Sequence, residues 1–405
     1  MSTVEPRTRS SPPAEAGASA SGATTMLLTG NQAVAWAARL ARPKVVPVYP
    51  ITPQTPILEE LTKFQAAGEF DAEIITPESE HSVMAACIPA SLAGVRVFTA
   101  TASQGLLLMH ELLHYASGAR APIVMANVNR TVASPWAFWP DQTDSVAQRD
   151  TGWVQFYSEC AQESLDTVIQ AFRVAEKLML PVMINHDAFY VSHALEPVSV
   201  PDQQLVDAYL PEFAPAHRID PEHPESWGNV VSQEMYYRHR RAIGEAMAQV
   251  FDVALAADGA WRQLTGRGWG LVERYRCDGA DTVIVTMGSM CGTAREAVDQ
   301  MRDAGLDVGL VKVRLFRPLP VEALRAALHG VDEVIVLDRN YSPGHGGVLH
   351  QELLAALYGL SRPPRVRGLL AGVGGVNVSP RRIAEYVREG ALDDGAPDPA
   401  SIWVR

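Results

Sequence analysis

Cysteine is scarce: Cys87, Cys160, Cys277 and Cys291 are the four in 405 residues, and no two form a C-x-x-C pair. Without paired spacing, no disulfide framework, zinc site or iron–sulfur cluster can be built from this chain alone. Positive charge is also short. The formal net charge is −12, from 34 Lys and Arg against 46 Asp and Glu, so the basic footprint that nucleic acid or an anionic membrane surface would require is missing. No apolar run approaches the roughly 20 residues that span a bilayer. The opening MSTVEPRTRSSPPAEAGASASGATT lacks the apolar centre of a signal peptide. Its Ser, Ala, Pro and Thr content predicts a disordered lead-in over residues 1–25, and the expected location is the cytoplasm. No G-x-G-x-x-G follows a strand and no P-loop occurs, which argues against a nicotinamide-dependent enzyme.

What is present is an ordinary globular composition, 47% hydrophobic and 20% charged, long enough for about two domains. From Met26, short apolar runs alternate with amphipathic stretches. Strands are predicted at 45–50, 73–77, 96–103 and 122–130, with helices at 30–41, 56–67, 80–92 and 104–117, followed by LDTVIQAFRVAEKL as a helix and PVMINHDAF as a strand. That order predicts a doubly wound α/β sheet, whose ligands gather at the carboxyl ends of the strands. Residues 201–268 break the rhythm with many prolines and the helical block MYYRHRRAIGEAMAQVFDVAL, and are expected to wrap the first domain as a connector. A second α/β unit runs from DTVIVTMGS to GGVLHQELLAALYG. The expected organisation is 26–268 for the first domain with its connector, 269–375 for the second, and 376–405 as a C-terminal tail.

Four loops of the first domain follow predicted strands: YPITPQTP, TPESEHS, TASQG and NVNRTVASPWAFWPDQTD. Together they offer the hydroxyls of Thr52, Thr101 and Ser103, the carboxylates of Glu78 and Glu80, the cation Arg130 and the aromatics Trp136 and Trp139. That inventory suits a small anionic substrate. Each member also has a plainer reading. Thr52 can cap a helix, Glu80 suits a helix start through the dipole, Arg130 can pair with a surface carboxylate, and the tryptophans can anchor a core or an interface. SPGHGGV, residues 342–348, opens a helix after a strand, where an anion can bind. It matches neither phosphate motif, so tight packing or a turn is the simpler role, and His345 is given none.

In order along the chain, GNQAVAWAA, YPITPQTP, PESEHSVMAA, FTATASQGLLLM, NVNR and WPDQTDSVAQRDTGW resemble the α subunit of the 2-oxoacid:ferredoxin oxidoreductases, of the pyruvate:ferredoxin oxidoreductase type. The resemblance spans about Met26 to Gly375. It implies a pyrimidine-type thiamine diphosphate-binding domain followed by a transketolase C-terminal-like domain. The implied reaction is decarboxylation of a 2-oxo acid, pyruvate first, with the acyl group passing to coenzyme A and electrons to ferredoxin. It also implies a division of labour: a β chain holding the diphosphate and Mg2+, and γ- or δ-type chains carrying the iron–sulfur clusters. The absence of a GDG motif and of cysteine runs agrees with that division.

By the same resemblance Thr52 and Arg130 hold the substrate carboxylate, through a neutral donor and a charge-assisted fork. Glu80 hydrogen-bonds the aminopyrimidine ring, while Thr101, Ser103 and Gln104 lie on the cofactor side. Glu78 is the competitor for the role of Glu80. His81 stands where the family pattern has a small residue, and either narrows the pocket or points outward. Trp136 and Trp139 are bulky for a substrate-side loop, and trimming of the substrate range by the two is an expectation that a Trp139→Ala enzyme would test. Two other readings are weighed: a β-type subunit of a 2-oxoacid dehydrogenase or a transketolase relative, which shares the two-domain order but should lack YPITP and TASQG, and a non-catalytic α/β assembly subunit, which has no reason to keep Thr52, Glu80 and Arg130 together.

Overall fold

The computed structural model describes residues 23–389 and 402–404. The first half of the chain forms β1 (Thr24–Thr29), α1 (Gly30–Ala41), β2 (Val45–Pro47), α2 (Thr55–Ala66), β3 (Glu73–Ile75), α3 (Glu80–Leu92), β4 (Phe98–Thr101), α4 (Ser103–Leu108), α5 (His110–Gly118), β5 (Val124–Asn129), α6 (Thr143–Val146), β6 (Val154–Ser158), α7 (Ala161–Leu178), β7 (Val182–Asp187) and β8 (Leu195–Val200). The expected lead-in is therefore cut short. Thr24 and Thr25 belong to a strand paired antiparallel with β8, and residues 1–22 lie outside those described. Thr29 closes a reciprocal capping box with Gln32, which is why α1 starts at Gly30. Small buried residues such as Ala33, Ala37 and Ala38 let α1 lie close against α7.

Strands β6, β7, β5 and β4 stand side by side in that order, all parallel. Every residue of β5 (VMANVN) and β7 (VMINHD) is buried, as central parallel strands covered on both faces require. A short parallel pair, β2 with β3, joins the β4 side through a bridge from Val45 to Val97. Apolar clusters cover both faces: one gathers Ala37, Phe98, Val124 and Phe172, the other Met84, Leu106, Met125 and Trp153.

The connector supplies α8 (Gln203–Tyr209), α9 (Gln233–Ala248) and α10 (Val250–Thr265). Val250, Ala254, Ala257 and Trp261 of α10 complete the first cluster, whereas residues 211–241 contribute no buried residue at all.

The remaining elements are β9 (Val272–Tyr275), β10 (Thr282–Thr286), α11 (Met290–Asp303), β11 (Val308–Val313), β12 (Leu315–Arg317), α12 (Val321–Ala327), β13 (Glu333–Asp338), α13 (Val348–Leu357), β14 (Arg365–Ala371), α14 (Pro380–Glu389) and β15 (Ile402–Val404). The second sheet has the order β15-β14-β13-β10-β11-β9, parallel except for β9. Of the segment expected as a tail, residues 376–389 and 402–404 are described and are structural: Ile383 and Ala384 of α14 enter the core and β15 pairs in parallel with β14. Strand β12 leaves its own unit and pairs antiparallel with β6, so the two units share a sheet edge. Among the described residues no helix is long and apolar enough to cross a membrane.

Candidate functional site

Helix α3 begins with Ser79 as N-cap, its hydroxyl accepting the N–H of Ser82 at 3.3 Å, so Glu80 is the first helical residue. There its carboxylate meets the positive end of the helix dipole. Glu80 is only 8% exposed, and its carboxylate has no hydrogen-bond partner among the described residues. Gly105 makes room for it. A Cβ at Gly105 would stand 2.6 Å from Glu80 Oε1 and 2.5 Å from Thr101 Oγ1. Thr101 Oγ1 is likewise buried without a partner. The unsatisfied buried hydroxyl of Thr101 is costly unless a group from outside the chain completes it, and the Glu80 carboxylate beside it, whose residue keeps 8% of its surface exposed, has acceptor capacity to spare.

The neighbouring acids and bases separate cleanly. Glu78 is exposed and hydrogen-bonded by Ser82 Oγ, which holds its carboxyl below the usual range. His81 turns outward, its Nε2 lying 3.8 Å from Glu111 on α5. Of the two alternatives for His81, the outward one is the arrangement seen.

Arg130 leaves the end of β5 and is 5% exposed. Its guanidinium donates to the carbonyl of Thr52 through Nη1 and to Gln104 Oε1 through Nη2, while Nε is buried without a partner. Burial pulls its pKa down from the ordinary arginine value, opposed by Asp144 and Glu80. Trp136 covers one face of the guanidinium, 5.0 Å from it, with Phe138 at 6.0 Å. The side chain of Thr52 is exposed and its hydroxyl is free among the described residues, so the backbone of Thr52 aims the arginine while the hydroxyl remains open. Ser103 Oγ lies 2.5 Å from the Thr131 carbonyl and 2.5 Å from Gln104 Oε1. Ser103 and Gln104 thus engage the Arg130 side of the site, and Glu80, Thr101 and Gly105 form the other.

The structure separates the two tryptophans. Trp136 sits against Arg130, whereas Trp139 packs on Phe189 and Tyr190, 5.1 and 6.0 Å between ring centres, with Gly375 of the second unit leaving it space. Trp136 rather than Trp139 is therefore the bulky residue beside the site. The second unit also holds the far end of this loop: the Gln142 N–H donates to the Arg339 carbonyl at 2.8 Å, and Arg339 Nη1 donates to Asp187 at 2.8 Å.

Sequence reasoning did not single out Asp144, which is wholly buried and whose carboxyl is pushed up to about 7 by burial. Its only trace in the sequence is indirect: Asn127 and Asn129 set polar side chains into a predicted strand, and such residues need a partner when buried, without saying which. The loop SPGHGGV resolves in favour of packing: the N–H groups of Leu349 and His350 donate to the Asp338 carboxylate, both at 3.0 Å, and Val348 donates to Asn340 Oδ1 at 2.9 Å. That helix start is already filled from within.

A family model described as "Pyruvate flavodoxin/ferredoxin oxidoreductase, thiamine diP-bdg" matches residues 36–257. A second, "Pyruvate:ferredoxin oxidoreductase core domain II", matches residues 280–383. The chain is 48% identical to pyruvate synthase subunit PorA of Methanothermobacter thermautotrophicus, over 93% of this chain and 97% of that one. It is 46% identical to ketoisovalerate oxidoreductase subunit VorA of Pyrococcus abyssi, over 93% and 96%. Among solved structures it is similar to a 2-oxoglutarate:ferredoxin oxidoreductase from Magnetococcus marinus with 2-oxoglutarate, coenzyme A and succinyl-CoA bound, at a TM-score of 0.72 and 21% identity, covering 90% of this chain and 65% of that one. A split-gene transketolase, an inactive β4 tetramer, aligns at a TM-score of 0.52 and 15% identity, over 88% and 97%. These two likenesses concern the fold alone.

Proposed function

The chain belongs to the pyruvate:ferredoxin oxidoreductase family, as an α-type subunit of a thiamine diphosphate-dependent 2-oxoacid:ferredoxin oxidoreductase, and from that premise we propose that its β4 and β5 loops carry the substrate side of the reaction. The observation that carries the proposal is the largely buried Glu80 at a helix start, its carboxylate without a hydrogen-bond partner among the described residues, beside the buried unpartnered Thr101 hydroxyl and with the Arg130 guanidinium near enough to feel its charge. Thiamine diphosphate fits these residues, because a buried acceptor beside an unpartnered Thr101 hydroxyl matches a ring that brings its own N–H donors. When bound, the cofactor supplies the nucleophilic carbon that decarboxylation of a 2-oxo acid requires. Glu80 would accept a hydrogen bond from the ring nitrogen and hold that shared proton in place. Arg130, with Nε open, would take the substrate carboxylate, and the free hydroxyl of Thr52 would add a neutral donor. Ser103 and Gln104 support this reading by steadying Arg130 rather than by offering free groups.

The substrate we favour is a short 2-oxo acid, pyruvate first, since relatives are named both for pyruvate and for ketoisovalerate. We further propose that a β chain holds the diphosphate and its Mg2+, that γ- and δ-type chains carry the iron–sulfur clusters, and that coenzyme A and ferredoxin accept the acyl group and the electrons in the cytoplasm. Co-expression with such partners tests the whole. The complex should reduce a low-potential acceptor in a pyruvate- and coenzyme A-dependent manner, and E80Q should lower kcat by roughly 100-fold or more. An E80Q complex with wild-type kcat would sink the role given to Glu80.

A further inference from the structure

Asp144 stands where the two halves of the site meet. Its Oδ2 accepts the backbone N–H of Ser103 at 3.0 Å and that of Arg130 at 3.2 Å, with Asn127 Nδ2 at 3.4 Å. Its Oδ1 accepts from Asn129 Nδ2 and from the N–H of Ser145, both at 2.7 Å. The two backbone donors of Oδ2 belong to different strand exits. Ser103 follows β4 and leads to Gly105, the seat of Glu80, whereas Arg130 follows β5. Ser103 also holds a φ of 47°, in the left-handed region that a serine adopts only at a cost. Its N–H on Asp144 and its hydroxyl on the Thr131 carbonyl are the bonds that keep it there.

We propose that Asp144 is a positioning residue for this reaction: its carboxylate ties the exit of β4 to that of β5 and so sets the separation of the Glu80 wall from the Arg130 wall. The inference rests on the functional reading above. A substrate held by its carboxylate at one wall while it reacts at the other tolerates little error in that separation, and a shift of about 1 Å can cost 100-fold in rate. The ionised form, which prevails above about pH 7, is the one that fits, because all five contacts are N–H donors and an amide of the same shape would turn its own NH2 toward at least two of them; turnover and binding are therefore measured at pH 8. A carboxylate here also repels an incoming anion. That repulsion is the smaller effect, because five donors disperse the charge and the Arg130 side chain points away toward Thr52 and Gln104.

The test uses the assembled complex and reads turnover together with calorimetric binding of oxamate, an unreactive analogue of pyruvate. D144N should weaken oxamate and raise KM, each about tenfold, and lower kcat as well, with subunit assembly unchanged; E80Q should lose kcat while keeping wild-type oxamate affinity. That contrast separates a shifted Arg130 wall from a lost proton-holding group. D144N binding oxamate as wild type does, or more tightly, overturns the proposal. A wild-type complex that binds no oxamate overturns the functional reading and the proposal with it. Where D144N does not assemble, Asn129→Ala carries the test: it removes one donor from Oδ1 and should weaken oxamate about threefold, and wild-type affinity in that variant overturns the proposal.

Discussion

Gly105 is the residue on which the candidate site turns most sharply, because it provides space and no chemistry. A methyl group there meets Glu80 Oε1 and Thr101 Oγ1 well inside van der Waals contact. Both side chains must yield in Gly105→Ala, because Thr101 Oγ1 at 2.5 Å and Glu80 Cγ at 2.9 Å are met as well as the Glu80 carboxylate. Helix propensity favours alanine over glycine by about 1 kcal/mol, against about 1–3 kcal/mol for overpacking. The expected outcome is a kcat lowered by at least tenfold with a modestly lowered melting temperature, read by steady-state kinetics and thermal unfolding. A fully active variant would mean that the carboxylate's position does not matter. The same residue scale separates Glu78 from Glu80: the two acids are adjacent to one helix start in sequence, and only burial tells them apart.

At the scale of elements, His186 of β7 shows how strands and helices are locked to the lip of the site. Its Nε2 lies 3.3 Å from Asn31 Oδ1 on α1, and Asn31 Nδ2 donates in turn to the Pro53 carbonyl at 2.7 Å, in the YPITP lip. Because the Asn31 amide is oriented by that second bond, its oxygen must accept, so the histidine is a neutral donor at Nε2. Burial pushes its pKa down from 6.5 to about 4, opposed by Asp187. A depressed folded value means that stability is fully present above pH 6.5 and is lost as pH falls toward 4. The full effect of that shift is about 3 kcal/mol. Denaturant unfolding at pH 7 and at pH 4.5 should show this loss, and H186Q should flatten the dependence; an equal slope in the variant would refute the assignment. Elements of this kind were legible in the sequence where local signals sufficed. Helices α1 and α3 start at capping residues, Thr29 and Ser79, that announce them. Strand β2 ends at Pro47, three residues earlier than its apolar run suggests. Strands β1, β8, β12 and β15 were not legible, because each is defined by a partner distant in sequence. Asp144 escaped for the same reason: its value lies in donors from two other strand exits.

On the scale of the whole molecule, two α/β units must act as one body, since the loop bearing Arg130 is gripped from the second. The seam is made by β12 on β6, by Arg339 on Asp187 at the site's rim, and by a buried ion pair between Lys312 of β11 and Glu163 of α7 at 2.7 Å. Burial alone would lower the Lys312 pKa, yet Glu163 and Glu159 raise it above the ordinary lysine value, so the ammonium stays charged. Arg314 adds hydrogen bonds from the same strand exit to Thr167 and Gln170 of α7 at 2.9 and 2.8 Å. A buried pair of this sort gains little over apolar residues of the same shape, because both ions have been taken out of water. Losing Lys312 is another matter, since Glu163 then keeps only the longer ion pair to Arg314 Nε at 3.4 Å and Glu159 loses a cation 3.4 Å away. K312M should therefore destabilise the chain by about 3 kcal/mol, part of which E163Q should restore in the K312M/E163Q double variant by relieving the excess negative charge of Glu163 and Glu159, less what Arg314 loses with Glu163. The unfolding curve carries the second half of the prediction: if the pair holds the units together, wild type melts in one transition and K312M in two. A single transition at the wild-type midpoint in K312M would leave β12 and Arg339 as the elements that make the two units one.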